Sequence, residues 1–133
     1  MTPASERWQH LNPYEKRHLK LAMQAYDQIM LETQDVPTIA KHYQLSLEDV
    51  KRAKNYAFGQ GVSQYQFSPE ILMAEAWYRM KLNQSNQLDE VLLRHEIYES
   101  DLVLNQDIPQ SEAHKLAQAK YPWYDLLIQS KKE

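Results

Sequence analysis

Between Asn86 and Asn105 one segment carries apolar residues on two sides of a single helix, and this restricts the fold more than any other stretch. At about 100° per residue, Leu88, Val91, Leu92, Tyr98 and Leu102 form one stripe, while Leu93, Ile97 and Leu104 cover the opposite side. A helix that is apolar on two sides belongs in the middle of a domain, with other helices around it. His95 and Glu99 fall inside the first stripe and are expected to point inward. Burying an imidazole and a carboxylate costs several kcal/mol, on the order of what an unpaired polar or charged group loses on leaving water, unless a partner, an ion or a cleft compensates. The pair is therefore the leading candidate for a site.

The rest of the chain supports a helical domain. It has 133 residues, 43% of them hydrophobic, enough for one core and too few for two ordinary domains. Only two glycines occur, and Leu, Ala, Gln, Glu and Lys abound, which leaves little material for a sheet. The expectation is an all-α single compact domain, residues 1–133, with six or seven helices around a central one at 87–105 and an N-terminal extension at 1–11.

Capping signals set the order. Asn12-Pro13 starts a first long helix through about Glu32, with Leu19, Ala22, Met23, Tyr26, Ile29 and Met30 on one face. Asp35-Val36-Pro37 starts a short helix, and Ser46-Leu47-Glu48-Asp49 a third with Val50, Ala53, Tyr56 and Ala57 inward. Phe58-Gly59-Gln60-Gly61 ends it, and the stretch to Phe67 reads as the one clear loop and the most mobile segment. Ser68-Pro69-Glu70 opens the next helix, which runs to about Leu82. After the central helix, Asn105 to Pro109 makes a break. Gln110 to Ala119 then forms a helix with Ala113, Leu116 and Ala117 on one side, and a terminal helix starts at Tyr121-Pro122-Trp123-Tyr124.

His95 and Glu99 are four residues apart, the spacing at which one helical turn supplies two metal ligands. Glu96 lies about 100° around the helix beside them. The pattern His-Glu-x-x-Glu is close to the zinc-peptidase pattern His-Glu-x-x-His, in which the glutamate after the first histidine activates water. His114, on the following antiparallel helix, is the natural third ligand. The expected site is His95, Glu96, Glu99 and His114, with His95, Glu99 and His114 as ligands for a divalent ion such as zinc and Glu96 moving protons. Two other readings stay open: a metal-free acid–base pair, and a structural network in which Arg94 or Arg79 supplies a counter-charge.

The run Phe67-Ser68-Pro69 through Ala76-Trp77, then Leu92-Leu93-Arg94-His95-Glu96 with Glu99, Glu112-Ala113-His114 and Tyr121-Pro122-Trp123 resembles a helical domain found at the ends of polymorphic toxins and phage head-morphogenesis proteins. The resemblance spans roughly residues 35 to 125. It implies a toxin or effector setting more than a particular reaction, and a prophage-derived or immunity-related role stays open beside it. An immunity, phage or secretion protein is then the expected partner.

A second motif competes with this reading. Ile39 to Val50 has the spacing of a helix-turn-helix, with Ala40 at the close-packed position and Val50 in the core of the second helix. Against DNA binding stand Gln44 at the turn position that favours glycine, and Glu48 and Asp49 at the tip of the would-be recognition helix. Lys51, Arg52 and Lys54 partly offset those charges. The interspersed charges, 15 basic and 18 acidic for a net of −3, supply no basic field for nucleic acid. A noncatalytic interaction module, DNA-binding or a phage accessory protein, is the alternative function.

No cysteine is present, so thiolate metal sites and disulfides are excluded and a reducing compartment fits. No apolar run approaches the roughly 20 residues of a membrane helix, and Met1 to Glu6 has no basic-then-apolar pattern, so the expectation is a cytoplasmic protein, or one delivered to another cell. Most of the nine tyrosines and three tryptophans read as core. Trp77 and Tyr56 are expected to pack with their polar ends reaching a partner, and Tyr121, Trp123 and Tyr124 have two readings beside core packing, covering the histidine site or binding a partner protein.

Overall fold

The computed structural model describes residues 8–59 and 69–131. Eight helices and no strands occur among them: α1 Pro13–His18, α2 Lys20–Leu31, α3 Asp35–Tyr43, α4 Leu47–Phe58, α5 Ile71–Lys81, α6 Gln87–Leu104, α7 Gln110–Lys120 and α8 Trp123–Lys131. The loop expected up to Phe67, and Ser68 of the expected cap, lie outside the described residues.

The count exceeds the six or seven expected because the first long helix divides. Asn12 and Glu15 form a reciprocal capping box at the start of α1, but Leu19 leaves the α region at φ −102°, ψ 14° and its side chain packs onto the core. Part of the expected extension is core as well: Trp8 and Leu11 are buried. Glu70 caps α5 through a bond from the Leu72 N–H to Oε1, 3.1 Å, so that helix begins at Ile71 rather than at the proline.

Helix α6 is central and packs against α4, α5, α7 and α8. Asn86 and Asp89 cap each other's backbone at its start, which is why the sequence places this helix within a residue of its observed bounds. On one side of it lies the main core, where Trp8, Tyr26, Phe58 and Trp77 form a chain of tilted and edge-on rings with centroids 5.9, 4.8 and 5.4 Å apart. Leu93 joins that core; Leu102 and Val103 pack with Tyr56 and Ala113; Leu92 packs with Ala76 and Trp123. Gly59 ends α4 where a Cβ would stand 2.8 Å from the Asn55 carbonyl oxygen and 3.0 Å from Met30 Cε, so no other residue fits without a shift. Leu104 and Leu116, expected on apolar faces, are half exposed, and Ala113 and Ala117 alone face inward from α7.

No described helix is long and apolar enough to cross a membrane.

Candidate metal centre

The turn after α6 fixes where α7 can lie. Asn105 and Gln106 donate to the two oxygens of Asp101, Asp107 adopts the left-handed region at φ 55°, and the Ile108 N–H returns to the Leu102 carbonyl at 2.9 Å. Ile108 packs on the Tyr56, Leu102, Val103 and Ala113 cluster. These contacts hold α7 against α6 with His114 beside Glu99, as the short connection predicts.

His95 and Glu99 are buried within α6, and the His114 side chain is 55% exposed. Glu99 Oε1 lies 3.1 Å from His95 Nε2 and 2.9 Å from His114 Nδ1. One ligand atom from each of the three residues falls within 4.8 Å of both others, so the group could hold a metal ion. Around tetrahedral zinc, with bonds of about 2.0 to 2.1 Å, ligand atoms stand about 3.3 Å apart. The two distances to Glu99 Oε1 are slightly shorter, so a small opening of the histidines away from that oxygen would make room for an ion.

The other ring nitrogen of His95, Nδ1, lies 3.0 Å from the Tyr121 carbonyl oxygen. A carbonyl only accepts, so Nδ1 carries the proton and Nε2 is the atom turned to Glu99. That arrangement, a backbone carbonyl fixing one nitrogen and aiming the other, is the outer support that metal-bound histidines commonly have. The second oxygen of Glu99, Oε2, accepts from the Tyr56 hydroxyl at 2.5 Å and from Gln110 Nε2 at 3.4 Å. The carboxylate is therefore divided: Oε1 serves the histidines and Oε2 is held from α4 and the start of α7.

Without an ion, the charges organise as a pair. Burial works against the His95 imidazolium, but the Glu99 hydrogen bond, the Glu96 charge and the Tyr121 carbonyl outweigh it and raise the group to about 8. Burial likewise opposes charge on Glu99, yet hydrogen bonds from His95, Tyr56 and His114 hold it below its usual range. The Tyr56 phenol is pushed far up by burial and by Glu99, so it stays a donor.

Glu96 is different. Burial raises its carboxyl to about 7, partly countered by the His95 charge, and no hydrogen-bond donor among the described residues reaches it. By surface area the side chain is half-buried rather than sealed, so we read it as a carboxyl walled by protein and reached from a cavity. Two cavities, of about 530 and 430 Å³, share Glu96, His114 and Met73 in their walls. Tyr56, Glu99 and Gln110 are among the other residues lining the first, and His95, Trp123 and Tyr124 among those lining the second, so two of the three aromatic residues of the 121–124 segment flank the site.

The counter-charges lie elsewhere. Arg94 pairs with Glu90 at 2.8 Å and Arg79 grips Asp89 through two bonds of 2.9 and 2.8 Å, so neither serves the cluster. Sequence reading gathers the three candidate ligand residues and Glu96 but misses Tyr56 as the clamp on Glu99, Gln110 beside it, and the Tyr121 carbonyl. The only advance signal for Tyr56 is its buried helical position, which requires a partner for its hydroxyl without naming one.

No family model matches this chain, and neither a curated protein nor a solved structure matches it.

Proposed function

We propose that this chain is a hydrolytic domain, of the toxin-like or phage-associated kind that its motifs resemble, built on a divalent ion site. His95, Glu99 and His114 are the ligands, and two imidazoles with one carboxylate favour zinc. The observation that carries this reading is the convergence of three ligand atoms beside cavities whose shared wall includes Glu96, a carboxyl that no hydrogen-bond donor among the described residues reaches. A bound ion of this kind supplies Lewis acidity and lowers the pKa of water toward neutrality. His95 holds its Nε2 in place through the Tyr121 carbonyl, Glu99 offers Oε1, and His114 stands at the cavity face. Glu96, in the shared wall of the two cavities, takes a proton from the attacking water and returns it to the leaving group. In this setting the partner is an immunity, phage or secretion protein, and the site of action is the cytoplasm of the producing or a recipient cell.

A second reading, a noncatalytic module whose polar cluster orders the core, is favoured by one observation: every buried side-chain nitrogen or oxygen among the described residues has a partner. The DNA-binding form of that reading is weakened because two of its three cations are engaged inside the protein. Arg52 reaches Ser100, the Ile97 carbonyl and Asp49, and Lys54 is buried against Asp35.

Metal analysis of purified protein separates the two, with wild type, His95→Ala and Glu96→Gln compared for bound zinc and for growth inhibition when expressed in bacteria. The hydrolytic reading expects about one zinc in wild type and Glu96→Gln, none in His95→Ala, and a loss of growth inhibition on the order of 100-fold in Glu96→Gln, as for removal of a general base. No zinc in the wild type removes the ion site, and equal harmlessness of wild type and Glu96→Gln leaves the noncatalytic module.

A further inference from the structure

We infer that Tyr56 is the positioning residue that makes Glu99 a single-oxygen ligand, an inference that rests on the ion site proposed above. A free glutamate at a metal centre swings between one-oxygen and two-oxygen contact, and its flexible stem loses entropy when it is fixed. Here Tyr56 removes that freedom. Its hydroxyl meets Glu99 Oε2 at 2.5 Å, the shortest hydrogen bond of the cluster among the described residues, while both histidines address Oε1. Tyr56 is 3% exposed on α4 and its ring packs with Leu102, Val103 and Ala113, so the hydroxyl is delivered by a helix rather than by a loop.

The division of labour persists whether or not an ion is present. Without one, Oε1 accepts imidazole N–H groups; with one, the imidazole lone pairs and Oε1 converge on it. Oε2 is bonded to the phenol in both cases, so Tyr56 never competes with an ion for an electron pair. Gln110 approaches the same oxygen at 3.4 Å and adds a weaker restraint from the first residue of α7. Tyr56 also forms part of the wall of the cavity that holds Glu96, so the restraint is applied within the site itself.

The test is a double-mutant cycle on zinc affinity, measured by competition with a chromophoric chelator. Tyr56→Phe keeps the ring and removes the donor, and it is expected to weaken zinc binding 10- to 100-fold, the range typical of lost outer-shell support. In a Glu99→Ala background the same change is expected to alter affinity less than about twofold, because its target is gone. A merely structural tyrosine would weaken binding alike in both backgrounds, and that result overturns the inference. Should Tyr56→Phe fail to fold, Gln110→Leu carries the test at the same oxygen, with an expected loss of about two- to threefold that also vanishes without Glu99; unchanged affinity there overturns the division of the carboxylate. Zinc bound equally by wild type and Tyr56→Phe removes the role of Tyr56 alone. Absence of zinc from the wild type removes the ion site and this inference with it.

Discussion

Asp35 has no exposed surface, yet its carboxylate is fully occupied: Lys54 Nζ lies 3.0 and 2.9 Å from its two oxygens, Trp77 Nε1 donates at 2.8 Å and the Val36 N–H at 2.8 Å. Lys54 adds a bond to the Glu32 carbonyl at 2.9 Å, so the end of α2, the start of α3, α4 and α5 meet at one buried ion pair. Removing one member of such a pair strands the other charge. Asp35→Ala or Lys54→Met alone is expected to lower stability by about 3–5 kcal/mol in urea unfolding, whereas Asp35→Leu with Lys54→Met recovers part of that loss. Singles costing under about 1 kcal/mol would show that the pair is dispensable. From the sequence, Asp35 reads as a helix start and Lys54 as a cation offsetting Glu48 and Asp49, because nothing local announces a partner 19 residues away. His95, Glu99 and His114 were legible for the opposite reason: one helical turn and one short connection bring them together. Tyr56 and the Tyr121 carbonyl arrive from 43 and 26 residues away, through packing that periodicity does not encode.

Among the elements, the α3–α4 pair shows a local rule outweighed by tertiary context. Glycine is favoured at its turn, and the chain has Gln44 there, a mismatch that counts against a helix-turn-helix at the level of sequence. The structure nevertheless places Gln44 at φ 57°, ψ 45°, with the Leu45 N–H closing on the Ala40 carbonyl at 2.9 Å. Ala40, Ile39 and Val50 are buried around the turn, and their packing sustains a conformation that a side-chain-bearing residue resists. Gln44→Gly is therefore expected to raise stability by up to about 1 kcal/mol, read as an increase in thermal midpoint. A clear decrease would mean that the glutamine side chain contributes more than its backbone costs. The division of the first helix at Leu19 has no comparable signature: both flanking segments keep helical spacing, and only the packing of Leu19 onto the core marks the change.

For the molecule as a whole, Arg52 matters more as a tie than as a charge. From α4 it donates to Ser100 Oγ at 3.0 Å and to the Ile97 carbonyl at 3.0 Å on the central helix, while Asp49 holds its remaining arm at 3.0 Å. A guanidinium used this way is not free to read phosphate. Arg52→Ala is expected to cost about 1.5–3 kcal/mol of stability, the range for hydrogen bonds to a charged group, without a change in salt-dependent gel shift on duplex DNA. A shift present in wild type and lost in the folded variant would instead restore DNA binding. The all-helical class and the central helix follow from patterning that is strong at every scale. The eightfold division, the ion-pair centre and the clamp on Glu99 depend on which helices meet, and that is settled only when the whole core closes.

The Tyr121 carbonyl carries one more implication. It belongs to the two-residue corner between α7 and α8, whose far side leans on Tyr98 and Lys120. The angle of the His95 ring is thus inherited from how α8 is seated: a distortion of that corner would reach the imidazole as a rotation, with His95, Glu99 and His114 all unaltered. Tolerance to change at the carboxyl end of the chain should accordingly fall off sharply before this corner is reached.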